Sequence, residues 1–267
     1  MADDRVTQAD KAAAFRALHE GEPFVIPNPW DAGSARLLEA LGFSALATTS
    51  GGFAYTLGRH DGEVTLDEVV EHVAAIVGVS DLPLSVDLEN GYGPEPETAA
   101  AAITAVAGAG AVGGSIEDYD RGGEIYAIGP ATERVAAAVE AARALDFPFT
   151  LTARAENHIR GNPDLDDTIA RLQAYERAGA DVLYAPGLGE VEQIRAVCDA
   201  VSKPVNVLAR PKLSMQELVD AGAQRVSVGG SLFFAAMGAA IGAAERIKED
   251  GDFSALYIPA EIRKWLA

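Results

Sequence analysis

The 267-residue chain has a single cysteine, Cys198. One thiol closes no intrachain disulfide and forms no CxxC metal or redox pair. A reducing compartment is the natural setting, and the chain is expected to be cytoplasmic. Histidine is scarce as well. His19, His60, His72 and His158 stand apart, without the HxH or HxxxH spacing of a zinc site. Of five lysines, only Lys212 falls near the end of an expected strand. A Schiff-base aldolase would lack its buried amine. Basic residues number 21 against 40 acidic, a formal net charge of −19. Nucleic-acid binding needs the opposite balance, and an anionic substrate would need a local arginine or metal ion. The first eleven residues contain no apolar signal core. No GxGxxG fingerprint follows the first expected strand. The uncharged run 226–244 approaches bilayer-spanning length. Gly229-Gly230-Ser231 interrupts it, so it reads as a strand, a turn and a buried helix, and no membrane span is expected.

Small apolar residues are abundant, and they recur in a regular order. Short strand-like runs alternate with longer Ala-rich amphipathic ones. Strands are expected at Phe24–Ile26, Ser44–Ala47, Leu84–Val86, Val112–Ile116, Phe149–Thr152, Val182–Tyr184, Val205–Leu208 and Val226–Val228. Helices are expected between them, one starting at Thr65 with Glu68 spaced for a capping box. Strands separated by helices pair in parallel through right-handed crossovers. Eight such units with no obvious linker predict one α/β domain over 1–267, a closed (β/α)8 barrel of TIM type. An open doubly wound sheet is the alternative.

In such a barrel the site lies where the strands end at their C-termini. Polar residues gather there: Ser50, Asp87, Glu89, Glu117, Asp118, Arg154, Glu156, Asn206 and Arg210. Carboxylates converging from neighbouring strands repel one another, and a cation between them resolves the repulsion. An all-oxygen ligand set selects a hard ion such as Mg2+, with Mn2+ as a second choice.

The order of motifs resembles the isocitrate lyase/phosphoenolpyruvate mutase superfamily over most of the chain. The matching segments are Thr49-Ser50-Gly51-Gly52, Leu57-Gly58-Arg59-His60-Asp61, Val86-Asp87-Leu88-Glu89-Asn90-Gly91-Tyr92-Gly93, Ile116-Glu117-Asp118 and Ala153-Arg154-Ala155-Glu156. The resemblance implies that Ser50, Gly51 and Gly52 hold a substrate carboxylate through backbone N–H groups, and that Asp61 lies beside the reacting group. It implies Asp87 as the principal Mg2+ ligand, with Glu89 and Glu117 holding the ion largely through water. Arg154 then binds substrate and balances enolate charge. Trp30 and Asp31, at the first strand end, and Asn206 are further candidates for the substrate pocket. The resemblance also implies a homo-oligomer, a tetramer or dimer, with the last helix exchanged between subunits.

The lyases of that superfamily carry a Lys-x-Cys-Gly-His loop whose cysteine protonates the departing carbon. Here the segment reads Asp118-Tyr119-Asp120-Arg121-Gly122-Gly123-Glu124-Ile125-Tyr126, with no cysteine. Cys198 falls in a late helix, where a buried structural thiol is expected. A metal–enolate apparatus without that acid suits a bond cleavage that needs no proton at the leaving group. Decarboxylation of oxaloacetate or a relative meets that condition. C–P chemistry, as a phosphonopyruvate hydrolase or mutase, and a catalytically inactive metabolite-binding barrel are the alternatives. Gly229-Gly230-Ser231 reads as a tight turn and helix cap in preference to a phosphate site.

Overall fold

The computed structural model describes residues 6–256 together with Trp265. Helix α1 (Gln8–Leu18) precedes strand β1 (Phe24–Ile26), followed by α2 (Ala32–Ala40), β2 (Leu46–Ala47), α3 (Ser50–Thr56) and α4 (Leu66–Val77). Next come β3 (Leu84–Asp87), α5 (Pro96–Gly108), β4 (Gly113–Glu117), α6 (Ile128–Arg143), β5 (Thr150–Arg154) and α7 (Leu165–Arg177). The chain continues through β6 (Val182–Tyr184), α8 (Val191–Ala200), β7 (Val205–Leu208), α9 (Met215–Asp220), β8 (Arg225–Ser227) and α10 (Ser231–Asp250). All eight strands pair in parallel, in the order β1-β8-β7-β6-β5-β4-β3-β2. The Ala47 amide donates to the Pro27 carbonyl across the remaining seam. The result is the expected barrel, nearly closed.

Local chemistry explains the element ends. Thr65 and Glu68 form the expected capping box at α4, and Ser214 and Glu217 repeat it at α9. Pro96 opens α5, where its missing N–H costs nothing. Gly179 leaves α7 at φ 103°, a conformation open to glycine at little cost.

Two helices escaped the sequence reading. Helix α1 lies beneath the barrel, and its Phe15 ring enters the bottom. A Cβ on Gly113 would sit 2.7 Å from that ring, so glycine there admits the plug. Helix α3 is short, about two turns, and begins on Ser50-Gly51-Gly52, whose glycines carry little helical propensity. A third expectation is corrected. Helix α10 is not buried: Phe233 is its one buried residue, while Leu232, Phe234, Met237 and Ile241 are exposed. Its uncharged part, 231–244, looked like core because apolar composition does not reveal what covers a face. No helix among the described residues is long and apolar enough to cross a membrane.

The outer core between strands and helices is apolar, as in Leu46, Val73, Ile76, Val86 and Ile103 on one side and Leu172, Leu183, Ile194 and Val207 on the other. His72 intrudes on it. The ring stacks on Phe53 at 3.8 Å between centroids, and its buried Nε2 has no hydrogen-bond partner. Burial lowers its pKa to about 4, against a partial rise from Asp31. A histidine lowered on folding contributes stability above pH 6.5 that is lost as pH falls towards 4. From that shift the loss at pH 5 is about 2 kcal/mol. His72→Phe keeps the stack and removes the orphaned nitrogen. Thermal melts should show the variant above wild type, with the gap widening by roughly 5 °C between pH 7 and pH 5. A gap that does not change with pH would contradict a titrating His72.

Candidate active site

Strand alternation sends Asp87, Glu117 and Arg154 to the C-terminal mouth from three neighbouring strands. Asp87 on β3 pairs with Ser115, and Glu117 on β4 pairs with Arg154 on β5. The Arg154 guanidinium joins them. Its Nη1 donates to Asp87 Oδ1 at 2.8 Å, and its Nη2 lies 2.9 Å from Glu117 Oε2 and 2.8 Å from Glu156 Oε1. Arg160 adds contacts to Glu156 at 3.1 Å and Glu117 at 3.5 Å. Tyr184 lies beneath Arg154, 5.4 Å from the guanidinium carbon to the ring centre. Burial alone would lower the Arg154 pKa, but Glu156, Glu117 and Asp87 together hold it well above the ordinary arginine value. Burial holds the Glu117 carboxyl well above the usual carboxylate range despite Arg154.

Two adjoining cavities share this floor. One, of about 350 Å3, runs from Tyr55, Asp61 and Phe234 at the mouth past Ser50, Gly51, Asp87 and Arg154 into the barrel. The other, of about 400 Å3, lies over Asp61, Glu89, Glu117, Arg121, Arg154 and Arg160. Ser50, Asp61, Arg154 and Arg160 line both. Asp61 sits at the exposed rim, hydrogen-bonded to Ser50. Partial desolvation and then the Asp87 charge raise its pKa.

Glu89 adopts φ 48°, left-handed backbone that is costly for a side chain other than glycine, roughly 1–3 kcal/mol. That turn brings its carboxylate back over the mouth, where Arg121 pairs with it at 3.2 Å. Burial pushes the Glu89 pKa up to about 7, against the lowering by Arg121. Arg121 also donates to the Val64 carbonyl, and Tyr119 lies under Arg160, 3.7 Å from guanidinium carbon to ring centre. The segment 118–126 is therefore docked on the site.

Several sequence candidates fall elsewhere. Asp31 caps α2 in a box with Ser34, so its carboxylate is spent on the Ser34 N–H. Trp30 packs edge-on against Phe233 and lines neither cavity. Gly52 is buried behind the wall, its N–H donating to Thr49 Oγ1. Asp118 points away from the mouth and clamps Tyr175, Arg171 and the Glu156 amide. Arg210 binds the Gly187 carbonyl, and half-buried Cys198 packs below Gly222. Asn206 does line the deeper cavity, bonded to Ser227 and Arg225. Gly229 and Gly230 form the expected turn, with Asn28 Oδ1 accepting from the Val228 and Gly229 amides. Arg160 was missed, although its i,i+4 spacing from Glu156 was a readable sign of a pair.

The expectation that a cation separates Asp87 from Glu117 is met by Arg154, which changes the metal question. Among the described residues no three His, Cys, Asp or Glu side chains form a direct metal cage. The donor count still favours a divalent ion. Asp61, Asp87, Glu89, Glu117 and Glu156 set five carboxyl groups around only three guanidinium groups, Arg121, Arg154 and Arg160, and burial raises the pKa of Glu89 and of Glu117, so a further cation would find oxygen donors that the arginines do not neutralise. Mg2+ keeps several waters and is usually held by one or two carboxylates plus substrate oxygens. The donor set fits an ion on Asp87, with Glu89 and Glu117 reached through water.

The family model for phosphoenolpyruvate phosphomutase matches residues 15–248. The 2-methylisocitrate lyase of Escherichia coli K12 is 34% identical over 204 residues, 72% of this chain and 67% of that protein. The oxaloacetate decarboxylase of Paraburkholderia xenovorans LB400 is 35% identical over 193 residues, 68% of this chain and 63% of that protein. Phosphonopyruvate hydrolase, solved with oxalate and Mg2+, superposes with a TM-score of 0.85 over 98% of this chain and 95% of its own. At 24% identity that last likeness shows the fold alone.

Proposed function

The chain belongs to the isocitrate lyase/phosphoenolpyruvate mutase superfamily, and from that premise we propose that it is a Mg2+-dependent 2-oxo acid lyase of decarboxylase type. The observation that carries this reading is the Asp87–Arg154–Glu117 cluster at the barrel mouth, with more carboxyl groups than guanidinium groups around it and no thiol beside it. The similarity to an oxaloacetate decarboxylase supports the same reaction class.

Mg2+ held at Asp87 would supply Lewis acidity to the 2-oxo group. The chain's own residues do the rest. Ser50 and Gly51 form the wall against which a substrate carboxylate lies. Arg154 is fixed by three carboxylates before substrate arrives. It therefore meets negative charge developing on the substrate oxygen with little reorganisation. In oxaloacetate the C3–C4 bond breaks, CO2 leaves, the bonding pair becomes the C2–C3 double bond, and the carbonyl π pair passes to the 2-oxo oxygen. No acid is needed at that step, which is why a loop without cysteine suffices. The open mouth then supplies water to protonate C3. The docked Arg121 loop narrows that mouth.

The assay is pyruvate formation from oxaloacetate with Mg2+ and with EDTA. Metal also accelerates the spontaneous decay, so the turnover that counts is the part lost in Asp87→Ala. We expect EDTA to abolish that part. Turnover indifferent to EDTA would overturn the metal assignment. The alternative is C–P chemistry, favoured by the match to the phosphoenolpyruvate phosphomutase family model. Phosphorus NMR on phosphonopyruvate distinguishes it through release of phosphate or phosphoenolpyruvate.

We further propose a homo-oligomer, a dimer or tetramer, assembled through α10. Phe234, Met237 and Ile241 recur at one helical face and are 52%, 40% and 58% exposed, more apolar surface than an isolated helix leaves in water. Light scattering should give a multimer for wild type and a monomer for Met237→Glu/Ile241→Glu. A monomeric wild type would refute the assembly.

A further inference from the structure

Below the carboxylate cluster the barrel interior departs from the usual filling of Val, Ile and Leu. Ser85, Ser115, Asn206 and Ser227 line the inner cavity, and Arg225 enters it from the first position of β8. Thr152 projects into the same layer and accepts from Arg225 Nη2 at 2.9 Å. Asn206 Oδ1 accepts from Nε at 2.8 Å, and His19 Nε2 lies 3.1 Å from Nη1. His19 Nδ1 lies 2.8 Å from the Phe15 carbonyl, which fixes the tautomer: Nδ1 carries the proton and Nε2 accepts from Arg225.

Every one of these partners is neutral. Among the described residues no carboxylate lies within ion-pair distance of Arg225, although the side chain is buried. The contrast with Arg154, which has three carboxylates, is sharp. A buried cation without a counter-charge is expensive, and such groups are normally paired. Burial lowers the Arg225 pKa to about 10, which still leaves it charged at neutral pH. His19 is lowered to about 3 by burial and then by Arg225, so it stays neutral and supplies orientation without charge. The hydroxyls of Ser85 and Ser115 bond to no other side chain among the described residues, and both line the cavity that Arg225 floors. A fixed positive charge, oriented from behind by neutral acceptors and faced by free hydroxyls, is the chemistry of an anion site.

We propose that Arg225, with Ser85 and Ser115, forms a second anion subsite at the floor of the barrel, which receives a carboxylate of the substrate remote from its 2-oxo acid end. This rests on the reading of the mouth as the 2-oxo acid site and narrows the substrate class to 2-oxo acids bearing a further carboxylate. The carboxylate at Arg225 stays on the product, because pairing the leaving carboxylate with a cation would oppose its loss as neutral CO2. The favoured substrate thus carries a carboxylate in addition to any group that leaves.

Calorimetric titration of the Mg2+-loaded protein tests this without turnover. Two probes of equal chain length are compared, 2-oxoglutarate with a terminal carboxylate and 2-oxopentanoate with a methyl group there. We expect wild type to bind the diacid at least tenfold more tightly. In Arg225→Gln that preference should fall below twofold while the Kd for 2-oxopentanoate stays within twofold of wild type, which also checks that the variant folds. Ser85→Ala/Ser115→Ala, which leaves the arginine scaffold intact, should reduce the preference several-fold. A wild type without preference for the diacid, or a preference retained in Arg225→Gln, would overturn the subsite alone. A wild type that binds neither acid with Mg2+ present would overturn the mouth assignment as well.

Discussion

Asp87→Asn should lower kcat/KM by at least about 10^3 and abolish calorimetric Mg2+ binding, while the melting temperature stays within a few degrees of wild type. The size follows from Lewis-acid stabilisation worth several kcal/mol, at tenfold in rate for each 1.36 kcal/mol. Asp87 serves the Ser50 amide through Oδ2 at 3.3 Å and Arg154 through Oδ1 at 2.8 Å; asparagine keeps the shape and one acceptor, so its oxygen retains Arg154 and only the longer Ser50 contact is given up. Arg154 also retains Glu117 and Glu156, so the fold has little reason to suffer. Glu89→Gln provides the contrast. If Glu89 reaches the ion through water, its loss belongs with outer-shell partners, at about 10–100-fold. Equal losses at residues 87 and 89 would contradict the division between a direct and a water-mediated ligand. Full activity in Asp87→Asn would remove the metal from the proposal altogether.

The barrel was legible because period and punctuation agree. Short apolar runs such as Val182–Tyr184 alternate with amphipathic runs such as Leu165–Arg177, and each helix end carries its own signal, as Thr65 with Glu68 and Gly179 do. Asp87, Glu117 and Arg154 were readable for the same reason, since a strand's last residue in a barrel faces the mouth. Side chains beyond the strand ends were not. Asp31, Asp118 and Glu156 are all acidic residues that follow strand ends. One caps a helix, one clamps Tyr175 and Arg171, and one fixes Arg154. Chain direction alone does not separate them. Arg225 was illegible for a different reason. It opens its strand, at the end where barrels place stabilising residues, and only the long side chain carries its charge into the cavity. The exposed face of α10 was hidden because an apolar residue reads the same in sequence whether the fold covers it or leaves it exposed.

Arg154→Met should be the most damaging single change in the molecule, to catalysis and to folding together. The side chain is 12% exposed and bridges three carboxylates. Methionine matches much of its length but supplies no charge, so Asp87, Glu117 and Glu156 are left facing one another with only Arg160 nearby. Breaking a buried ion pair by removing one partner costs about 3–5 kcal/mol, which corresponds to a fall in melting temperature on the order of 10 °C. Catalysis loses the preorganised charge opposite the developing enolate, and removal of one such donor costs about 10^2–10^3 in kcat. Arg154→Lys separates the two effects. It restores a charge and part of the stability. A single ammonium cannot span Asp87, Glu117 and Glu156 at the 2.8–2.9 Å contacts the planar guanidinium makes, so activity should remain low. Saturating Mg2+ should also recover melting temperature in Arg154→Met more than in wild type, because the ion then becomes the main counter-charge to the cluster. If Mg2+ stabilises both proteins equally, the guanidinium and the metal do not share those carboxylates, and the arrangement proposed for the mouth is wrong.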